Sequence, residues 1–279
     1  MVKAKHVILV ILGYLFCAWL AVILIDVANV FGLRDRLGII VWATLFANGR
    51  PTEWVQWYAL GTTALLSAFH FGALPRSNHE RGSPGDATIR GCALFWGVLA
   101  VGVVLMLVED AGNVRHEIRW FVEGVTGSPR HTGTIDKAVE FTYFAVVASV
   151  PLFALVRYGH HLRSYSTTLA YILSGYAFYG LAAAGNATRN WGGWYGVVGE
   201  WILLRFDMTV SDPGDTAGHG HWLVDALFEE SLELMGAMFL LAAAVSFLGS
   251  AGIGGLELSG TPSMKADVNE EPDRDPIPS

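Results

Sequence analysis

The sequence predicts an all-α fold, a polytopic bundle of transmembrane helices, and three observations carry that reading. Of its 279 residues, 53% are hydrophobic and only 15% are charged, whereas a soluble domain carries about 25% charged residues. Six apolar segments are long enough to cross a bilayer, because a hydrocarbon layer about 30 Å thick needs about 20 apolar residues at about 1.5 Å of helical rise each. Seven of the ten tryptophans fall in only three of the connections, as an aromatic belt at one membrane face would place them.

The six segments are 7–25, 55–74, 91–109, 139–156, 166–184 and 223–248. The first comes after Lys3 and Lys5 as a signal peptide would, but it runs on to Asp26 without a small-residue cleavage site and therefore reads as a span. Leu37 opens a further apolar stretch, 37–46, behind Arg34, Asp35 and Arg36. It is too short to cross and reads as an interfacial or re-entrant helix. The stretch 194–206, interrupted by Glu200 and Arg205, reads the same way. The transmembrane domain is thus 1–258. The remainder, 259–279, with four prolines and a run of Asp and Glu, has the composition of a disordered tail.

The connections after the first, third and fifth spans (26–54, 110–138 and 185–222) are long, and the other two (75–90 and 157–165) are short. Alternation puts the long ones on one face, together with Trp54, Trp57, Trp120, Trp191, Trp194, Trp201 and Trp222. Lys and Arg divide nine to nine between the two faces. Weighting the first helix and the short loops leaves the N-terminus and the tail cytoplasmic, with the capped face outside the cell membrane. The net charge of −7 and the absence of a basic stripe exclude nucleic acid as a partner. The partners implied are the lipid bilayer and, through the small-residue faces Gly61/Ala64 and Ser174/Gly175, a second copy or a membrane subunit. Cys17 and Cys92 have neither disulfide nor metal-type spacing and read as packing residues.

Chemistry resides in the ionisable residues at the span ends. Glu109 and Asp110 close the third span and lead to Asn113, His116 and Glu117; Glu140 opens the fourth; Asp225, Glu229, Glu230 and Glu233 lie in the sixth. By alternation all of them share one face. His221, Asp225, Glu229 and Glu233 recur every four residues, which places them on one helical stripe. A stripe of acids in a membrane needs protons, cations or basic partners to neutralise it. These acids could instead form a solvated first turn if the span began only at Leu234, where carboxylates suit a helix N-terminus. That would leave 234–248 as a short span. If the span begins at Leu223, Glu233 lies about 15 Å along the axis, and Arg115 or His116 is its candidate partner. The candidate cation or proton site is therefore Asp110, His116, Glu117, Glu229, Glu230 and Glu233.

Other histidines read more plainly. His219 and His221 fit a solvated loop, His160 and His161 fit a basic inner interface, and His70 fits a hydrogen-bonded packing residue inside the second span. Asn186-Ala-Thr188 matches a glycosylation sequon.

The run Asp110-Ala-Gly-Asn-Val-Arg-His116-Glu117 resembles the Asp-Glu-x-x-x-x-His-Glu pattern of a group of uncharacterised bacterial and archaeal multi-pass membrane proteins. Glu229-Glu230-Ser-Leu-Glu233-Leu-Met-Gly236 is similar to the Glu-Glu-x-x-Glu-x-x-Gly of their last span, and Pro51, Thr52 and Trp54 look like the Pro-Thr-Trp that opens their second. The resemblance implies which residues cluster and carries no activity. This chain departs from the pattern at Ala111, so a second carboxylate on that helix has to come from Glu109.

Three functions fit these residues. The first is cation or proton binding for transport or sensing, with the six residues as exchanging groups. The second is a membrane enzyme whose cofactor, a divalent metal ion held by the same residues, activates water or oxygen. The third is a non-catalytic accessory or scaffold subunit. No Gly-rich phosphate loop or nucleophile elbow is present.

Overall fold

The computed structural model describes residues 3–38, 40–47, 49–74, 86–126, 134–188, 193–206 and 219–251. The predicted tail, 259–279, lies outside them, as do parts of several connections. The described chain is helical and contains no strand. Its long helices are α1 (Ala4–Ala21), α4 (Pro51–Ala73), α5 (Asp86–Gly112), α7 (Thr134–Tyr158), α8 (Ser166–Thr188) and α11 (Glu230–Ser250). Between them lie the shorter α2 (Leu33–Leu37), α3 (Val41–Phe46), α6 (Val114–Thr126), α9 (Trp194–Arg205) and α10 (His219–Val224).

Four helical stretches are long and apolar enough to cross a membrane: Ala4–Val27, Ala87–Gly112, Phe141–Leu162 and Gly220–Ser250. The other two predicted spans are also helices, α4 and α8, each of 23 residues. They fall short of that hydropathy because Thr62, Thr63, Ser67 and His70 in α4, and Ser174, Tyr176 and Tyr179 in α8, dilute the apolar residues. Several of these polar groups face the protein. Thr63, Ser67 and His70 are fully buried, and His70 Nε2 lies 2.9 Å from the Ala244 carbonyl oxygen of α11. His70 is the packing residue its surroundings predict, wedged between the rings of Trp96 and Phe247.

The helices form an open arc. α7 packs on α5, α5 on α4, α4 on α11 and α11 on α8, while α1 covers the remaining side of α11. α8 approaches α11 closely at Gly175, where a Cβ would meet the Leu240 side chain at 2.9 Å and the Gly236 carbonyl oxygen at 3.1 Å. The small face Ser174/Gly175, predicted to serve a partner subunit, is therefore used within the chain.

The stretch 37–46 is not one helix, as the sequence suggests, but part of two. The chain leaves α2 at Gly38, with φ of +61°, and restarts at Val41. Asp26 causes the restart: its carboxylate accepts the Val41 N–H at 3.0 Å and the Trp42 N–H at 2.8 Å, satisfying donors that the start of α3 leaves open. Trp42 and Phe46 are buried, so α3 is seated in the bundle rather than laid on its surface. Before it, Asn29 donates to Asp35 at 2.8 Å and holds that exposed carboxyl below the usual carboxylate range.

The C-terminal ends of α1, α5 and α8 and the N-terminal ends of α4, α7 and α11 gather at one end of the bundle. Exposed Trp54, Trp120, Trp201 and Trp222 surround it. On a background with Cys17 and Cys92 replaced by Ser, cysteines at Glu117 and Glu200 should label from one side of the membrane and a cysteine at Ser164 from the other; all three positions are exposed. Labelling of Glu117→Cys and Glu200→Cys from opposite sides would overturn the shared face.

Candidate cation site

The capped end of the bundle holds carboxylates that the sequence places in separate helices. Gln56, one turn into α4 and only 1% exposed, joins two of them. Its Nε2 donates to Asp110 Oδ2 at 2.7 Å and to Glu233 Oε2 at 2.9 Å. One amide thus ties α4, α5 and α11 together across 177 residues of chain. Beside it Glu53, also buried, accepts the Gly49 N–H at the start of α4.

The last helix is continuous from α10 through α11, so the acids sit within it and not in a solvated first turn. However, Asp225–Glu229 is a π-helical turn. Such a turn takes up one extra residue and shifts the phase of the helix before it relative to the helix after it. Glu229, where the turn ends, and Glu233 keep regular α-helical spacing and stay one turn apart, each meeting a different neighbouring helix. Glu229 faces α8, where Asn186 Nδ2 donates to its Oε1. Glu233 faces Gln56 on α4. Asn186, the sequon residue, is 3% exposed and committed to this contact, so it is not a glycosylation acceptor in this fold.

Arg115 supplies the positive charge nearest the cluster. Asn113, at φ of +51°, turns the chain between α5 and α6, and Arg115 then faces back toward α5. Its N–H donates to Glu109 Oε2 at 3.0 Å, its Nε lies 3.7 Å from Glu109 Oε1, and its guanidinium sits 4.7 Å from the centre of the Phe144 ring. On the opposite side of α6, Trp120, Phe121 and Val125 are exposed. That face suits the membrane interface.

Of the six predicted site residues, the structure brings Asp110 and Glu233 onto one donor and places Glu229 and Glu230 beside them on the last helix. It does not bring in Glu117, which is exposed on α6. The His116 side chain lies outside the described residues, as do those of Glu140 and His219. Gln56, Glu53 and Asn186 do not stand out in the sequence. The signal it does hold is the presence of amides in apolar segments, where a polar side chain needs a partner. Among the described residues, no three His, Cys, Asp or Glu side chains converge as ligands for a metal ion.

A cavity of about 200 Å³ opens beside Asp110 and Glu233. Gln56, Glu109, Asp110, Glu233 and Tyr179 line its polar end; Leu60, Met106, Val147 and Leu152 are among its apolar walls. It occupies the gap between α7 and α8 that the open arc leaves. Tyr176 bridges that gap, donating its hydroxyl to the Pro151 carbonyl oxygen at 2.9 Å.

Comparison of the chain with protein-family models, with curated proteins and with solved structures gave no match.

Proposed function

We propose that this chain is a six-span cell-membrane protein that binds a cation or exchanges protons at Asp110 and Glu233, for transport or sensing. The observation that carries the reading is the shared donor: Gln56 offers one N–H to each of two carboxylates in the interior of the bundle. Two such acids, with Arg115 already paired to Glu109, need a further positive charge, which a proton or a bound cation supplies. Glu229 and Glu230 extend the acidic region along α11 toward the capped face, as a path for such a charge would. The likeness of the Asp110 and Glu229 motifs to those of multi-pass membrane proteins fits the same clustering. Orientation with the N-terminus and tail inside rests on the positive residues of the first helix and the short loops. The second reading is a metal-dependent membrane enzyme holding a divalent ion on the same carboxylates; a stoichiometric, tightly held zinc, iron or copper in the purified protein would favour it.

The test is an infrared-monitored pH titration of the protein in lipid nanodiscs, which reads protonated carboxyl groups directly. Asp110→Asn and Glu233→Gln should each remove or shift a carboxyl signal, and Glu270→Gln, in the acidic tail, should not. The two changes should also be non-additive in thermal stability, with a coupling of about 0.5–3 kcal/mol. Unaltered titration together with strictly additive stabilities would reject the site.

A further inference from the structure

Resting on that reading, we infer that the cation is organic: a hydrophobic ammonium ion whose charged end sits between Asp110 and Glu233 and whose apolar body fills the cavity between α7 and α8. The cavity is polar at one end only. A hard inorganic cation takes oxygen ligands around much of its surface, whereas here oxygen groups sit at one end and Leu60, Met106, Val147 and Leu152 form apolar walls. No Lys or Arg lines it, so an anionic head would meet only carboxylates, and a neutral ligand would leave both acids without a counter-charge.

Two further groups at the polar end lack a partner among the described residues. Gln56 Oε1 is buried and accepts no hydrogen bond, although Nε2 of the same amide donates two, and the buried hydroxyl of Tyr179 is likewise unpaired. Both residues line the cavity. A primary ammonium offers three N–H donors, which suits two carboxylates and an amide oxygen. The rings of Tyr176 and Tyr179 supply further faces that attract a cation. The volume sets the size: an apolar cavity of about 150 Å³ accommodates benzene, so about 200 Å³ takes a ring with a short amine arm. Leu152 is 48% exposed at the cavity wall, and Gly180, across from it on α8, is exposed too. Access is therefore sideways, from the lipid.

The probe is benzylamine, titrated into the full chain in phosphatidylcholine nanodiscs, with benzyl alcohol as the neutral counterpart of nearly equal shape. Benzylamine should bind saturably, and both benzyl alcohol to the parent protein and benzylamine to Asp110→Asn or Glu233→Gln should bind about tenfold or more weakly, each having lost a charge-assisted contact. Gly180→Leu leaves the acids intact, and because a Cβ at Gly180 meets nothing within 4 Å, the variant should fold. It should abolish benzylamine binding by filling the mouth while keeping the carboxyl signals of the infrared titration. Equal binding of amine and alcohol, or unchanged benzylamine binding in Asp110→Asn or in Gly180→Leu, would overturn the inference. If benzylamine fails to bind but the carboxyl titration depends on Asp110 and Glu233, the organic ligand falls and the cation or proton site stands. If neither is seen, both fall.

Discussion

Gln56→Leu should destabilise the protein by about 3–5 kcal/mol, the range for removing one partner from a buried charged network. Leucine fills much the same space but donates nothing, so Asp110 and Glu233 lose the N–H groups they share at 2.7 and 2.9 Å. Both would remain at the polar end of the cavity without that donor. Reversible unfolding in mixed micelles, read by tryptophan fluorescence, gives the difference. Adding Glu233→Gln should recover part of the loss, since the new amide removes one charge and can donate to Asp110. A loss within about 0.5 kcal/mol, the level of an ordinary surface change, would mean that the amide is not what holds the three helices together.

The second large effect is expected far from the acids. α9 and α10 meet backbone on backbone: a Cβ at Gly199 would collide with the Gly220 carbonyl, and one at Gly220 would lie 2.5 Å from the Glu200 nitrogen. Neither obstacle is a flexible side chain. Gly199→Val should therefore cost about 3 kcal/mol or more, the upper range for overpacking, and should lift α9 away from the bundle. Limited proteolysis would detect the change as faster cleavage between α8 and α10. Gly180→Ala is the control, neutral or slightly stabilising, because glycine in a helix costs about 0.5–1 kcal/mol relative to alanine. Equal protease resistance in Gly199→Val and the parent would show that this contact does not secure α9.

Legibility of the fold in the sequence tracks the strength of the hydrophobic signal. α1, α5, α7 and α11 are long apolar runs and are visible as such. α4 and α8 are visible by length, although their inward-facing Thr, Ser, His and Tyr residues lower their hydropathy. The acids are visible because a carboxylate in an apolar segment is rare. Gln56 and Asn186 are not, because an uncharged amide in a span raises no comparable alarm; only the fold brings them to Glu233 and Glu229. The phase shift between His221 and the acids of α11 is hidden for another reason. A single π turn alters the helical phase over five residues, Asp225–Glu229, too few for a periodicity to register. Proximity in sequence groups Glu117 with Asp110, but the left-handed turn at Asn113 separates their directions. Asp26 reads simply as the end of a span, and its role as the cap of α3 depends on a contact fifteen residues away.

The arc of helices from α7 to α8 is loosely closed on one side, where the two helices touch sparsely and the Tyr176 hydroxyl donates to the Pro151 carbonyl oxygen. In a bilayer, acyl chains would lie against that gap, so the lipid would act as part of the wall and not only as solvent. Chain length and unsaturation would then be variables of the proposed site: a stiffer, more ordered membrane would fill the gap with fewer conformations and raise the work of admitting the proposed ammonium ion.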